Sequence, residues 1–278
     1  VYVAEMGEQT RTPNGEPALL SMVRVTEWNN DLGRLVALDA LMNAVADDTL
    51  DLTEARRRIN SLQKAADAWS TPWKLLAAVA SSAGAAVILG GDLLDAGLAG
   101  FGGLLLRVLM LTLARSEQLR VLENLAGGVV AALLAGVASR EWPGHSREVL
   151  VLAIIIQLLP GLTLTMGLTE LTYRNLVAGT ARVMHAGITL LSLVFGLAVV
   201  VSLEKALGTP SPVSAAREAA PFALQVLALL FASFGFGVML DLPPRRLGVA
   251  FASSALVFAV SLVTRQLPTA HGVFLNAL

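Results

Sequence analysis

The chain has no cysteine, only three histidines and little charge, and each shortage excludes a class of protein. Without cysteine, the protein cannot be a disulfide scaffold, hold an iron–sulfur cluster or use a thiol in catalysis. Only 15% of the 278 residues are charged, against about 25% in an average soluble domain. The net charge of −1 gives no reason to expect a nucleic acid partner. The composition therefore excludes a disordered chain and a nucleic-acid-binding protein.

Apolar residues make up 55% of the chain, and the charged residues are unevenly placed. Residues 1–74 hold 19 of the 41 charged side chains, so a soluble head precedes a membrane-like body. We predict a mainly α, polytopic membrane protein with a small α+β cytosolic N-terminal domain. Its units are the N-terminal domain over 1–71, a first transmembrane bundle over 72–208 and an incomplete second bundle over 215–278. The first residue is Val1 and the last residues resemble a helix start, so we expect a fragment.

The head is predicted to combine a hairpin with two helices. The β-prone runs Val1–Met6 and Leu19–Val25 flank Asn14-Gly15, a strong turn signal. Apolar residues at helical spacing follow, and Asp51 opens the second helix. No histidine-based triad or metal cluster is expected within the head, because the histidines are His145, His185 and His271.

Seven stretches are apolar and long enough to cross a bilayer core of about 30 Å. They cover residues 72–91, 93–114, 123–140, 148–168, 183–203, 219–241 and 247–265. Basic residues near the span ends favour the N-terminal side by seven to five, which predicts a cytosolic N-terminus in the cytoplasmic (inner) membrane. We expect lipid around the spans and leave open a homo-oligomer.

Costly polar residues inside spans are the best functional clues. The run Gly90-Gly91-Asp92, followed by Asp95, lies between the first two predicted spans. Its acids either receive a cation or ammonium group, or are solvated in a plain loop. Arg107 leaves a similar choice: it is a charge in a cavity, or the second span ends near Leu106 and continues as an amphipathic helix.

Pro160 and Gly161 interrupt the fourth predicted span. A broken helix in a membrane leaves backbone amides and carbonyls that must line a cavity or contact protein. Transporters build substrate sites at such breaks, because the amide end of a half-helix holds a carboxylate. The break is therefore either a substrate site, with Thr163 and Thr165 just beyond it, or a simple proline kink.

Four more polar residues follow the break: Glu170, Arg174, Asn175 and Arg182. Glu170 and Arg174 are four residues apart, a spacing at which opposite charges pair on one helix. Arg182 is either part of the site or a positively charged anchor on the cytosolic side.

Together these residues resemble the signature of the threonine/serine exporter family. In that family a Pro-Gly break precedes an acidic-Leu pair and then Gly-x-x-Arg, as in Pro160-Gly161, Glu170-Leu171 and Gly179–Arg182 here. The Gly90-Gly91 junction is similar too, and the resemblance covers about residues 1–205.

Two departures from the family pattern bear on chemistry. Glu170 stands where an aspartate is expected, and Arg174-Asn175 stands where Gly-Asp is expected. Asn175 cannot take part in the protonation chemistry of an acid at that place.

The resemblance implies a fold with a cytosolic N-terminal domain and about ten spans in two related halves. It implies secondary transport that exports threonine and serine, driven by protons, without a cofactor, a metal or an enzymatic reaction. A non-transporting membrane scaffold or sensor, whose head binds a protein partner, is the main alternative. A membrane-embedded enzyme is a third possibility, but the scattered histidines supply no convincing nucleophile–base set.

A transported amino acid needs two opposite poles. The amide end of the half-helix after Pro160-Gly161 is the candidate for its carboxylate, and Asp92 or Glu170 for its ammonium group. Thr163 and Thr165 are candidates for its hydroxyl. Burial disfavours the charged form of a carboxylate, so Glu170 or Asp92 is also the candidate proton carrier.

Overall fold

The computed structural model describes residues 2–3, 23–24, 31–65, 67–120, 122–142, 144–208 and 220–264. Two short strands, β1 (Tyr2–Val3) and β2 (Val23–Arg24), pair antiparallel. The turn predicted at Asn14-Gly15 lies outside the described residues. This two-residue pairing does not support the small α+β domain expected for the head, because the described chain is otherwise helical and irregular.

The two helices predicted in the head are present as α1 (Leu32–Ala46) and α2 (Leu52–Lys64). Each begins where an aspartate side chain accepts a hydrogen bond from a first-turn amide, Asp31 in α1 and Asp51 in α2. The two helices pack against each other and bury Leu41 and Ala55.

The remaining described chain forms a helical bundle. Its helices are α3 (Thr71–Ile88), α4 (Leu93–Leu113), α5 (Glu117–Arg120), α6 (Glu123–Glu141), α7 (Arg147–Ile155, continued by a 3-10 turn, Ile156–Leu158), α8 (Gly161–Thr172), α9 (Leu176–Ala206), α10 (Phe222–Met239) and α11 (Leu247–Thr264, after a 3-10 turn, Pro244–Arg246).

Within the described ranges, five helical segments are long and apolar enough to cross a membrane: α3, α4, α9, α10 and Pro244–Thr264. They become six if the bent pair of α7 and α8 is one span. The structure thus supports a multi-pass membrane protein with five or six spans, not the predicted seven. The third predicted span corresponds to α6, which is not among these five segments. α6 is rich in alanine and glycine and carries charges at both ends, so it is less apolar than the other predicted spans.

The direction of the helices defines two ends of the bundle. α3 starts beside Lys74 and stops before Asp92, where α4 turns back, and we call these the Lys74 end and the Asp92 end. α6 and α9 both run towards the Asp92 end, where Gly136 of α6 faces Glu204 of α9. α10 returns to the Lys74 end, because the loop after it places Asp241 2.7 Å from Lys74.

Small residues bring the helix backbones together, as expected where lipid removes the hydrophobic drive between helices. A Cβ added at Gly84 of α3 would lie 2.8 Å from the amide nitrogen of Ala232 in α10. Gly235 of α10 meets α3 in the same way at Ser81. α10, expected to open the second bundle, therefore packs directly on the first helix of the first bundle.

Candidate functional site

The predicted helix break is present and sharp. The helical segments Arg147–Leu158 and Gly161–Thr172 meet at 62°, with Pro160 between them. Gly161 is exposed, and a Cβ added there would meet nothing within 4 Å, so the start of α8 borders open space at the surface of the described bundle. Since α8 begins at Gly161, its first-turn amides lie at this opening.

The break faces a polar turn of α4. Gln157, three residues before Pro160, donates a 2.9 Å hydrogen bond from Nε2 to the Gly103 carbonyl. Ser82 of α3 lies on the other side of Gly103, so closely that a Cβ on Gly103 would collide with its hydroxyl. Ser82 is fully buried, and its Oγ has no hydrogen-bond partner among the described residues. Three helices thus bring polar groups together in the interior of the bundle.

The two threonines predicted to read the substrate hydroxyl have different environments. Thr163 is buried, with 6% of its surface exposed. Thr165 is exposed and donates its hydroxyl hydrogen bond to the Gly161 carbonyl, 2.9 Å away in its own helix. Of the two, Thr163 is the one that faces the interior, while the substrate role of both stays a prediction.

Glu170 pairs with Arg182 and not with Arg174. The Glu170 Oε1 and Arg182 Nε atoms are 2.8 Å apart, and both side chains are about three-quarters buried. Gly179 permits this contact between α8 and α9, because a Cβ there would lie 2.9 Å from the Leu171 backbone nitrogen. The acidic-Leu pair and the Gly-x-x-Arg segment therefore contact each other directly.

Arg174 and Asn175 form the turn between α8 and α9. The Asn175 amide donates to the Glu170 carbonyl and the Arg174 amide to the Leu171 carbonyl, a Schellman motif. Arg174 has a φ of 64°, in the left-handed region that favours glycine. The glycine expected here from the family pattern matches this conformation, so the position has a backbone role that spacing alone did not reveal.

Gly90, Gly91 and Asp92 shape the junction of α3 and α4. Gly90 ends α3 with a φ of 97°, and Gly91 lets Asp95 approach closely. Asp92 and Asp95 cap α4 reciprocally, each side chain accepting the other residue's backbone amide. These contacts give the three residues a structural role, and their substrate role remains a prediction.

Sequence reasoning missed the histidine beside this junction. His145 Nδ1 lies 2.8 Å from Oδ1 of the fully buried Asp95 and 3.8 Å from Oδ1 of Asp92. The ligand atoms of these three residues lie within 4.8 Å of one another, a spacing compatible with a metal ion. His145 is 50 positions from Asp95, and no local pattern indicates a pairing over that distance.

The two candidate proton carriers lie at opposite ends of the bundle. Asp92 is at the Asp92 end, and Glu170 lies near the last turn of α8, towards the Lys74 end. A small amino acid therefore cannot contact both at once.

At the Lys74 end, ion pairs attach the head to the bundle. Lys74 Nζ lies 2.8 Å from Asp67 and 2.7 Å from Asp241. The Trp69 indole donates to the Leu242 carbonyl, and the Leu32 amide to the Leu240 carbonyl. The hydrogen bond from Lys74 is the main reason that the pKa of Asp67 is below its ordinary value.

Comparisons with known proteins support the resemblance drawn from the motifs. Residues 9–204 match the family described as "Putative threonine/serine exporter". An uncharacterized protein of Schizosaccharomyces pombe is 29% identical over 187 residues, which are 65% of this chain and 24% of that protein. The chain thus spans about a quarter of the length of this curated relative. No solved structure is significantly similar to this chain. Because the family match covers more than half of the chain, the protein belongs to the threonine/serine exporter family, a family of membrane transporters.

Proposed function

We propose that the protein exports threonine, serine and similar small amino acids across the cytoplasmic membrane, driven by the proton gradient, with its N-terminus in the cytosol. The observation that carries the proposal is the open helix break at Pro160 opposite the polar turn at Gly103. Unwound backbone inside a membrane bundle is tolerated where it lines a cavity, and transporters bind substrates there. Family membership supports the substrate class.

The first turn of α8 holds the substrate carboxylate in this proposal, since the amide end of a helix attracts negative charge. Thr163, buried in that turn, pairs with the substrate hydroxyl, and Thr165 lines the approach. Such a site rejects alanine, because its own polar groups would be left without partners. Glu170 or Asp92 takes the ammonium group at different stages of transport.

Glu170 is the preferred proton carrier. Its Oε2 atom is buried and has no hydrogen-bond partner among the residues that the structure describes, while Oε1 contacts Arg182. Protonation of Glu170 removes the charge that holds Arg182 and loosens the contact between α8 and α9. Asp92 is the second candidate, paired with His145 at the opposite end.

The test is efflux of labelled threonine, serine and alanine from proteoliposomes that contain the full-length protein, with and without a proton gradient. Gly161→Leu is the informative variant, because it fills the open space at the break. Gly187→Leu is the matched control, since Gly187 also has nothing within 4 Å of an added Cβ and lies on the exposed face of α9.

We expect threonine and serine efflux above alanine efflux, lost without the gradient, abolished in Gly161→Leu and kept in Gly187→Leu. Absence of flux from a folded, inserted protein would refute the exporter proposal and favour a scaffold or sensor. Equal flux in the two variants would remove the break from the pathway.

A further inference from the structure

Glu204 is a buried carboxylate that the proposed transport steps do not use. It lies in the last turn of α9, at the Asp92 end, and only 8% of its surface is exposed. Its Oε2 atom is 2.6 Å from Nη1 of Arg147 in α7, and its Oε1 atom is 3.4 Å from Nη2 of Arg140 in α6. One carboxylate therefore connects the ends of three helices.

The packing around Glu204 accommodates this contact at the expense of a side chain. A Cβ added at Gly136 of α6 would lie 2.5 Å from Glu204 Oε1, so the carboxylate fills the space that a side chain there would need. The Arg147 side chain is only 13% exposed. Removing two opposite charges from water is so costly that apolar side chains would often stabilise such a place equally well. A role beyond stability is therefore expected for this pair.

The ion pair connects helices that hardly pack on each other. α3 packs closely on α4 and α10, and α9 packs closely on α6 and α8. α7 lies between these two groups, against α3, α4 and α6, but it has little backbone contact with α9 in the described part of the chain. The contact of Arg147 with Glu204 is therefore not a by-product of close helix packing, because the two long side chains reach across from α7 to α9.

A second ion pair joins the same elements on the other side of the helix break. α7 continues past Pro160 into α8, where Glu170 lies 2.8 Å from Arg182 of α9. The bent span thus carries its cation at the Asp92 end and its anion towards the Lys74 end, and α9 carries the matching charges in the opposite order. Two separate pairs allow α9 to part from the bent span at one end while the other end stays attached.

We infer that Arg140, Arg147 and Glu204 form a latch that closes the Asp92 end between α7 and α9 and opens once in each transport cycle. This inference rests on the proposed export function, under which the Asp92 end faces outwards and releases the substrate. Opening returns the three charges to water, so the desolvation cost of the closed form is recovered. The open and closed forms can therefore have similar free energies, as a switch requires.

The experiment measures water access beneath the latch in full-length protein in proteoliposomes. Ser139 of α6 is 1% exposed, and its hydroxyl donates to the carbonyl of Gly136, against which Glu204 packs. Ser139→Cys introduces the only thiol among these 278 residues. Its reaction with a water-soluble maleimide, which requires the thiolate, is followed by mass spectrometry of the labelled peptide. Proton-driven threonine efflux is measured in parallel.

With the latch intact, we expect Ser139→Cys to react slowly at rest and faster when threonine and a proton gradient drive transport. Glu204→Gln or Arg147→Gln should raise the resting rate about tenfold or more, the usual effect of losing a hydrogen bond to a charged group. The two substitutions together should have no larger effect than either alone, because both remove the same contact. Net efflux should fall in each, since an end that stays open cannot alternate with the other.

Three controls separate the latch from general effects. Glu148→Gln and Lys205→Gln remove exposed charges next to Arg147 and Glu204, and should leave labelling and efflux unchanged. Ser81→Cys, buried in α3 at its contact with α10, should stay unlabelled unless the protein unfolds. If the glutamine variants unfold by this criterion, the effect of threonine on Ser139→Cys in the otherwise unmodified protein decides alone.

Unchanged resting labelling in the folded variants Glu204→Gln and Arg147→Gln would overturn the latch and leave the export function standing. So would the absence of any effect of threonine on Ser139→Cys while threonine efflux proceeds. Failure of the unmodified protein to export threonine would instead refute the proposed function, and the latch with it.

Discussion

At the scale of single residues, backbone conformation explains why some positions of the family pattern are glycine. Gly90, Arg174 and Asp241 occupy the same place in three helix ends, each with a positive φ. Only the first is a glycine, the residue that adopts this conformation without steric cost. The other two carry the conformational cost that glycine avoids.

Replacing Arg174 by glycine should stabilise the protein. The left-handed conformation costs a non-glycine residue about 1–2 kcal/mol, partly offset by the extra flexibility of glycine in the unfolded chain. We expect Arg174→Gly to raise the melting temperature in detergent, and Arg115→Gly, at a turn with ordinary φ, not to do so. A lower melting temperature for Arg174→Gly would mean that the arginine side chain makes a contact worth more than the strain.

Gly179 is expected to tolerate no side chain. A Cβ there would lie 2.7 Å from Leu171 Cγ and 2.9 Å from the Leu171 backbone nitrogen, and backbone cannot move aside as a flexible side chain can. Gly179→Ala should therefore destabilise the protein by about 1–3 kcal/mol, the usual cost of overpacking. Gly187→Ala, in open space on the same helix, should be neutral or stabilising. Equal melting temperatures for the two variants would contradict the close approach of α8 and α9.

At the scale of elements, the head is attached to the bundle through the loop between α10 and α11. Arg34 of α1 and Lys74 of α3 both contact Asp67, and Lys74 also contacts Asp241. Trp69, Trp73 and Phe234 add edge-to-face ring contacts between this segment and α10. Because two of these ion pairs involve the carboxylate of Asp67, the electrostatic part of the attachment depends on pH.

Asp67 should contribute stability at neutral pH and lose that contribution in acid. Its pKa in the folded protein is below the ordinary value of 3.8 because Lys74 donates a hydrogen bond to it. The contribution is complete above the unfolded pKa and disappears as the pH falls through the lowered folded pKa. It is small, about 0.2–1 kcal/mol, since Asp67 is half-exposed.

The measurement compares the melting temperatures of the unmodified protein and Asp67→Asn between pH 7 and pH 3. We expect a small, constant difference at neutral pH that narrows below pH 4. A difference that grows in acid would show that Asp67 is held in its protonated form, contrary to the Lys74 contact.

Local sequence patterns predicted much of the fold, including the helix break. The features they did not predict depend on contacts between residues that are far apart in the chain. Proline chemistry predicted the interruption at Pro160, and apolar length predicted α3, α4 and α10. Spacing on one helix indicated Arg174 as a partner of Glu170 and left the role of Arg182 open, whereas α9 folds back and places Arg182 2.8 Å from Glu170. The contact of Lys74 with Asp241 spans 167 positions and has no sequence signal.

At the scale of the whole molecule, charged contacts connect the helices at both ends of the bundle, and the helix break at Pro160 lies between these ends. At the Asp92 end, Arg147 of α7 and Glu204 of α9 are 2.6 Å apart, and His145 joins Asp95. At the Lys74 end, Lys74 binds Asp241. In the proposed proton-driven export, the two ends open in turn, and the proton changes one of the ion pairs that connect the moving helices.

The pair of Glu170 and Arg182 is the one we expect the proton to act on. It joins the half-helix after the break to the long α9, and Glu170 Oε2 is buried without a partner among the described residues. Glu170→Gln fixes the neutral form while keeping the size of the side chain. Proton-driven net efflux of threonine should then fall at least about tenfold, whereas exchange of labelled for unlabelled threonine, which needs no proton release, should continue.

The control is Glu148→Gln, which removes an exposed carboxylate at the start of α7 and should leave both activities intact. Loss of exchange together with net efflux in Glu170→Gln would mean that Glu170 binds the substrate and does not couple the proton. Undiminished gradient-driven efflux would exclude Glu170 and leave Asp92 as the carrier. Asp92 borders His145 at the opposite end, so coupling there would make the Asp92 end, and not the break, the part of the molecule that responds to the gradient.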